Sequence, residues 1–337
     1  MSKIQKIVVL LCLGTLAPRA TTVTFCYGEN AVVNNKYFDF TVGTNSSEIA
    51  KISIKEDFPN NDVMQTVTLV IPGEIEINGR KHQTKIKNCN LGDGSNSFEG
   101  LRHKNLRIRV KFVSKNGKYV ILPKYCEGMF YNSGSITEVD FSGVDNTLPI
   151  VTTSCMLAYC DELKDINFKN FNASGVKEVY RMFDGCKNLE KLNLSNFNTR
   201  NITNMFGMFA NCENLSILDL SGFDTRNVDS MICMFCECKK LTKLNLRNWD
   251  TRSVSATQEM FRDCRSLVTV DLHHFNIDLL CNVNDMFTNC CSLQYINNKE
   301  LVKRQLKAPN TFSDVPHLSS NTINCTSLYK AIGTAPH

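Results

Sequence analysis

A 26-residue period runs through the second half of this 337-residue chain and restricts its fold more than any other feature. The pair Met-Phe, or a close substitute, recurs first after 27 residues and then every 26 residues. The seven pairs begin at Met129, Met156, Met182, Met208, Met234, Met260 and Met286. A unit this short cannot bury its own apolar face, so consecutive units must stack and share one core.

Further residue types keep the same spacing. A cysteine stands four residues after the Met in six units, and an apolar residue follows three positions later. The cysteines are Cys160, Cys186, Cys212, Cys238, Cys264 and Cys290, and the first unit has Ser133 instead. An aromatic column formed by Phe171, Phe197, Phe223, Trp249 and Phe275 completes the pattern.

The pattern within one unit predicts its local structure. Residues 189–194 alternate apolar and polar side chains at their end, which predicts a short strand with one face inward. Residues 198–200 are polar and turn-forming, and the apolar residues of 201–209 follow helical spacing. We therefore predict an α/β solenoid of seven leucine-rich units over residues 126–300, with a short strand and a short helix in each.

Two stretches of the repeat resemble a known family. Leu192–Met205 reads LNLSNFNTRNITNM and Leu218–Met231 reads LDLSGFDTRNVDSM. Both resemble the BspA-type leucine-rich repeat surface proteins, whose unit reads roughly L-D-L-S-N-F-D-T-S-N-V-T-x-M-x-x-M-F-x-x-C. The resemblance covers half of the chain, and the terminal units at Met129 and Met286 depart from the pattern as capping units do. It implies a secreted or cell-surface protein that serves in adhesion or host-protein binding.

The ends of the chain differ from the repeat. Lys3 and Lys6 precede the apolar run Ile7–Leu16, which predicts a secretory signal peptide over residues 1–20. We predict a C-terminal cap or tail over residues 301–337. Six sequons would accept N-glycans in a eukaryotic host: Asn45, Asn172, Asn193, Asn201, Asn214 and Asn324.

The region 21–125 is predicted to be β-rich. It is either a separate β module or a set of irregular repeats leading into the regular ones, and the spacing of its apolar residues slightly favours the second. Asn78-Gly79 and Asn116-Gly117 predict hairpin turns. Alternating side chains predict strands at Lys51–Lys55, Thr66–Ile71 and Leu106–Val113.

The exposed face of the repeat strands is the predicted partner-binding surface. Each strand places a polar residue between its two inward residues, and these residues should form a ladder on the concave face. The ladder consists of Asp140, Asn167, Asn193, Asp219, Asn245 and Asp271, flanked by Lys191, Lys243 and Arg247. Alternatively, the Asn and Asp side chains satisfy one another and nearby backbone groups as a structural ladder, and the two roles are compatible.

The sixteen cysteines allow several interpretations. The cysteine column is either a ladder of stacked disulfides or a row of buried thiols, and we favour buried thiols because unpaired cysteines pack as small hydrophobes. In the oxidising compartment of an exported chain, disulfides are expected instead among the cysteines outside the column. These are Cys26, Cys89, Cys126, Cys155, Cys233, Cys236, Cys281, Cys291 and Cys325.

Two other groups of residues invite a functional interpretation. Cys233-x-x-Cys236-x-Cys238 has no second Cys or His pair at a zinc-site distance, and we expect no functional metal there or at His273-His274. The column Arg200, Arg226 and Arg252 could meet an anionic partner, but arginines paired with Asp224 and Asp250 in solvent are favoured.

Several function classes are not expected. The formal charge of +5 is scattered, which does not favour a nucleic-acid partner. The sequence contains no GxxxxGK[ST], HExxH or GxSxG motif, so we expect neither an enzyme nor a cofactor. We expect a protein that binds a host or neighbouring-cell protein or the extracellular matrix, without an integral membrane span. The alternative is a self-associating component of a surface coat.

Overall fold

A computed structural model of the protein describes residues 20–23, 38–42, 48–56, 63–77, 80–89, 91, 97–98, 100–276 and 283–298. Residues 1–19 of the predicted signal peptide and the predicted tail at 301–337 lie outside the described residues. The chain divides into two compact units, Met1–Ala173 and Ser174–His337.

The first unit is built on a parallel sheet. Its strands are β1 (Ala20–Val23), β2 (Phe38–Val42), β3 (Glu48–Ile54), β4 (Gln65–Pro72), β5 (Glu74–Ile77), β6 (Arg80–Gln83), β7 (Lys85–Ile86), β8 (Leu106–Val113), β9 (Ile136–Asp140) and β10 (Asp165–Asn167). The main sheet has the order β1-β4-β8-β9-β10, and every neighbouring pair in it is parallel. Strands β5 and β6 form an antiparallel hairpin, and β3 pairs with β2 and β7.

The strands predicted for the region before the repeat are confirmed as β3, β4 and β8, with ends that differ by at most a few residues. In β8, Leu106, Ile108, Val110 and Phe112 are buried and alternate with more exposed residues. The predicted turn at Asn116-Gly117 is also confirmed. Its two residues have φ of 52° and 74°, the left-handed conformation that a type I′ turn requires.

The second unit contains short repeat strands. They are β11 (Ile217–Asp219), β12 (Lys243–Asn245), β13 (Thr269–Asp271) and β14 (Tyr295–Asn297), and one 3-10 turn occupies Ala173–Gly175. The pairs β11-β12 and β13-β14 are parallel, and β12 lies beside β13. The strand predicted within residues 189–194 is not formed, since the main chain there has no strand pairing.

The predicted short helix is wrong for the described units. Between Met205 and Cys212, some N–H groups bond three residues back, as Met208 N does to Met205 O at 3.3 Å. Others donate to the next unit, as Phe209 N does to Met234 O at 3.0 Å. Gly207 and Asn211 have positive φ, which interrupts a helix. The helical spacing of apolar residues therefore reflects a series of tight turns that bond to the following repeat.

The core of the second unit is a set of stacked columns. Consecutive rings of Phe183, Phe209, Phe235, Phe261 and Phe287 lie 5.3 to 5.7 Å apart and within 11° of parallel. All five rings are buried, as are the adjacent methionines Met182, Met208, Met234, Met260 and Met286. Parallel bridges through Glu178, Asn204, Ser230 and Ala256 set the register of the turn segments. The repeat period thus becomes a stack of like residues.

Candidate functional site

Six of the nine predicted partner-binding residues lie on the repeat strands, whereas Lys191 and Asn193 occupy the corresponding positions of a segment without strand pairing and Arg247 follows β12. In β10, β11 and β13 the middle residue is buried and the two outer residues are exposed. Alternate side chains of a strand point to opposite faces, so the outer two share the open face. Asp140 is half-buried, and the exposed members of the predicted set are Asn167, Lys191, Asn193, Asp219, Lys243, Asn245, Arg247 and Asp271.

Each Asn or Asp of the ladder also fixes the turn that follows its strand. The side-chain oxygen accepts a hydrogen bond from the backbone N–H two residues later, which is the geometry of an Asx turn. The six donating N–H groups, at 2.9 to 3.2 Å, belong to Ser142, Lys169, Ser195, Ser221, Arg247 and His273. The structural-ladder alternative is therefore confirmed for these side chains.

Ladder side chains of neighbouring repeats also bond one another. In the first unit Asn167 Nδ2 donates to Asp140 Oδ1 at 2.9 Å, and in the second Asn297 Nδ2 donates to Asp271 Oδ1 at 2.9 Å. Hydrogen bonds from Ser221, and more weakly from Asn245, lower the pKa of Asp219. The carboxylates of the ladder are thus held in place before any partner arrives.

Three exposed cations flank this ordered ladder in the second unit. Lys191 and Lys243 lie two residues before Asn193 and Asn245, and Arg247 lies two residues after Asn245. Within the described part of the chain these three side chains form no ion pair. Ile217 lies beside Lys243 in the strand register and is 55% exposed. The open face of this unit therefore combines three cations outside ion pairs with the exposed apolar side chain of Ile217.

The corresponding face of the first unit carries a shallow cleft. The cleft has a volume of about 500 Å³ and is lined by Thr68, Val70, Arg109, Val110, Lys111, Val113, Glu138 and Asp140. Its charges are paired across the strands, with Arg109 Nε 2.9 Å from Glu138 Oε1 and Lys111 Nζ 3.9 Å from Asp140 Oδ2. The two faces thus differ: the cations Arg109 and Lys111 of the first face are paired with acids, whereas the cations Lys191, Lys243 and Arg247 of the second are not.

The cysteine column consists of buried thiols, which confirms the interpretation favoured from the sequence. Five of the six thiols donate to the carbonyl of a phenylalanine in the preceding repeat, as Cys238 Sγ does to Phe209 O at 3.1 Å and Cys264 Sγ does to Phe235 O at 3.1 Å. Burial raises the pKa of Cys160, Cys238 and Cys290 to about 12. These thiols are therefore core groups with little nucleophilic character.

The disulfides expected outside the column are not formed among the described cysteines, where no two are joined. Cys89 and Cys126 lie on adjacent bridged segments, but their thiols donate to the carbonyls of Lys87 at 3.4 Å and Pro123 at 3.3 Å instead. Cys26, Cys281 and Cys325 lie outside the described residues.

Two of the three arginines of the column, Arg226 and Arg252, are paired with acids in solvent, as expected. Arg226 Nη2 lies 2.6 Å from Asp224 Oδ2, and the Arg252–Asp250 pair has the same separation. Hydrogen bonds from these arginines lower the pKa of Asp224 and of Asp250. The charges of Arg226 and Arg252 are therefore largely compensated, whereas exposed Arg200 forms no ion pair within the described residues.

A buried threonine column beside these pairs was not anticipated from the sequence. Thr225 Oγ1 donates to the carbonyl of Asp250 at 2.8 Å and accepts from its N–H at 2.9 Å, and Thr199 does the same with Asp224. The signal was available, because a threonine recurs at this position every 26 residues. This column links each repeat to the next through its side-chain hydroxyl groups.

Potential metal ligands converge at one place in the second unit. Ligand atoms of Cys233, Cys236 and Glu259 all lie within 4.8 Å of one another. Cys238, the third cysteine of the motif, belongs to the buried column and points elsewhere. Glu259 was not predicted as a member of this cluster, because the motif spacing of a zinc site is recognised from Cys and His residues alone.

None of the helices within the described residues has the length and apolar character needed to cross a membrane.

Comparison with solved structures identifies leucine-rich repeat proteins. A leucine-rich repeat protein of T. pallidum is 15% identical, with a TM-score of 0.33 over 83% of this chain and 98% of that chain. A leucine-rich cell surface protein of Faecalibacterium prausnitzii is 14% identical, with a TM-score of 0.28 over 83% and 98%. A leucine-rich repeat protein of Bacteroides ovatus is 14% identical, with a TM-score of 0.26 over 85% and 93%. No curated protein matches the chain.

A sequence family covers the repeat region. Residues 124–217 and 208–324 each match the family described as "Mycoplasma protein of unknown function, DUF285". Together the two matches span more than half of the 337 residues, including the whole periodic region. The chain therefore belongs to the DUF285 family.

Proposed function

We propose that this chain is a leucine-rich repeat protein of the BspA type, exposed outside the cell, that binds a protein partner through the open strand face of its second unit. The observation that carries the proposal is the combination of an ordered ladder with exposed, unpaired Lys191, Lys243 and Arg247. We assign the chain no catalysis and no cofactor in this role. Host or neighbouring-cell proteins and extracellular matrix are the proposed partner class.

The fixed main-chain conformation of the open face favours binding. Asx turns fix the main chain at the end of each repeat strand, as the bond from Ser221 N to Asp219 at 2.9 Å does. A partner that docks on this face does not have to order these loops, so association loses less conformational entropy. The stacked core below, with Phe209 and Phe235 fully buried, holds successive strands at fixed spacing.

The charge of the face indicates the chemistry of the partner. Asp219 is engaged by Ser221 and Asn245, and Asp271 by His273, whereas the three flanking cations have no acid within reach in the described residues. Both carboxylates keep their negative charge, but the three cations outnumber them, so the net charge of this set of residues is positive. An acidic protein segment would match it, with an apolar side chain placed against Ile217.

A capture experiment with charge-reversed variants tests this proposal. The triple variant Lys191→Glu, Lys243→Glu, Arg247→Glu should lose at least about tenfold in affinity for a captured extracellular partner, since each exposed pair contributes about 0.5 kcal/mol. Lys177→Glu is the matched control, because Lys177 is exposed in the same unit but lies outside its strands. Unchanged binding by the triple variant would place the interface elsewhere.

Two further measurements separate the alternatives. Sedimentation of the purified chain detects self-association, and an assembly that the triple variant leaves intact would favour the coat component instead. Immunolabelling of intact cells and of the medium tests the proposed extracellular location. Labelling that requires permeabilised cells would contradict it.

A further inference from the structure

In the neighbouring units of Met234 and Met260, the two positions that flank the repeat methionine carry ionisable side chains and stack on one another. In every unit one residue immediately precedes the repeat methionine, and another follows it by two positions. In the unit of Met234 these are Cys233 and Cys236, and in the unit of Met260 they are Glu259 and Arg262. The turn bond from Cys236 N to Cys233 O, at 3.1 Å, brings the two cysteines of one unit together.

Backbone hydrogen bonds set this arrangement. Cys233 N donates to Gln258 O at 2.9 Å, and Glu259 N donates to Asn284 O at 3.0 Å. Cys233 and Glu259 both have left-handed backbone conformations, with φ of 54° and 56°. The bonds between repeats therefore fix the positions from which the side chains project, and the cluster does not depend on a bound ion for its register.

The distances suit a metal ion. Cys233 Sγ lies 3.8 Å from Glu259 Oε2, and all three ligand atoms lie within 4.8 Å of one another. Tetrahedral zinc binds sulfur at about 2.3 Å and carboxylate oxygen at about 2.0–2.2 Å, so its ligand atoms are separated by about 3.5–3.8 Å. Small side-chain rotations would complete this geometry.

The surroundings also favour a cation bound by thiolates. Cys236 is buried, whereas Cys233 and Glu259 are half-buried, so one side of the cluster faces solvent. Arg262 Nε lies 2.6 Å from Glu259 Oε2 and orients this carboxylate. The Arg262 charge would also offset the excess negative charge of two thiolates and a carboxylate around a divalent ion.

We propose that Cys233, Cys236 and Glu259 form a binding site for a thiophilic divalent cation of the zinc class. The two thiol protons leave to solvent on binding, and the fourth coordination position stays open to water on the exposed side. The site is separate from the strand face proposed to bind a protein. A simple dithiol that closes to a disulfide would need no third ligand, whereas a carboxylate oxygen of Glu259 lies within 4.8 Å of both sulfur atoms.

Titration of the full-length, reduced, metal-free chain with Zn²⁺ or Co²⁺ alone tests the site. We expect one equivalent of Co²⁺ to produce a thiolate-to-cobalt charge-transfer band. Zn²⁺ should then displace the Co²⁺ and abolish the band. Cys233→Ser and Cys236→Ser should each weaken binding at least about 100-fold, and Glu259→Gln about 10- to 100-fold. Cys291→Ser is the control, because Cys291 is exposed and lies outside the cluster, and it should bind as the parent does.

The fluorescence of Trp249, the one tryptophan of the chain, verifies that each variant is folded. Glu259→Gln keeps the test decisive if a cysteine variant fails to fold, since Glu259 is half-buried and outside the core. Binding that survives in all three cluster variants would overturn the proposal. So would a chain that takes up no stoichiometric metal but forms a Cys233–Cys236 disulfide with oxidised glutathione.

Discussion

Replacing Phe209 by alanine tests whether the phenylalanine stack holds the second unit together. The Phe209 ring is fully buried, 5.6 Å from the ring of Phe183 and 5.7 Å from that of Phe235. The spacing of the repeats is set by backbone bonds such as Phe209 N to Met234 O at 3.0 Å. The two neighbouring rings therefore cannot close the space that the substitution leaves.

The expected loss of stability follows from this rigidity. Truncating a buried phenylalanine to alanine costs about 3–5 kcal/mol, and the upper half of that range applies where the cavity cannot collapse. With a urea m-value of about 2 kcal/mol/M, a loss of about 4 kcal/mol lowers the unfolding midpoint by about 2 M.

Trp249 provides the assay. It is buried, its ring is stacked with Phe275, and its Nε1 donates to Leu220 O at 3.0 Å, so its fluorescence reports unfolding of this unit. The control is Arg247→Ala, an exposed substitution that should change stability by no more than about 0.5 kcal/mol. A loss below about 1.5 kcal/mol for Phe209→Ala would refute the rigid-stack argument.

Three further predictions concern single contacts. Thr225→Val leaves the N–H and carbonyl of Asp250 without their hydroxyl partner. It should lower the free energy of unfolding in urea by about 2–4 kcal/mol. An unchanged free energy would show that the threonine column is dispensable. Hydrogen bonds from Lys118 and Asn116 lower the pKa of Glu74 from 4.5 to about 2. The ionised carboxylate therefore stabilises the folded state fully above about pH 4.5, and this stabilisation is lost as the pH falls towards 2. Glu74→Gln should therefore flatten the stability profile between these pH values, and an unchanged slope would contradict the assignment. Cys212 and Cys238 should resist alkylation by iodoacetamide at pH 8 until the chain unfolds, and rapid labelling of either in the native protein would refute the buried-thiol column.

The sequence predicts best where one periodicity governs a segment. Strand β8 begins and ends where alternation predicted it, at Leu106 and Val113, because one of its faces is buried along its whole length. The same holds for the turn at Asn116-Gly117, where both residues tolerate left-handed conformations.

The short helix was mispredicted for a physical reason. Apolar residues at helical spacing also arise when tight turns stack on one another, and spacing alone does not distinguish the two. Gly207 and Asn211 decide between them, since their positive φ directs the neighbouring N–H groups to the next repeat. In this unit glycine and asparagine within the apolar pattern were the available signal, whereas other units adopt positive φ at the equivalent positions with Arg181, Cys233 and Glu259.

The Asx turns and the metal-ligand cluster show the limits of motif spacing. Asp219 was predicted as a binding residue, but its carboxylate is engaged by the Ser221 N–H, so the flanking lysines are better suited to contact a partner. Glu259 lies one period of 26 residues from Cys233, and stacking brings them together. In repeat proteins, ligands of one site are therefore expected at multiples of the period as well as at short motif distances.

Lysine footprinting of the chain in complex with its captured partner tests the central claim most directly. Lys191, Lys243 and Lys177 are all exposed in the same unit, so each should be acetylated readily in the unbound protein. On binding, we predict that Lys191 and Lys243 become protected and Lys177 does not. Protection of Lys177 with continued labelling of Lys191 and Lys243 would contradict the assignment of the strand face as the binding surface.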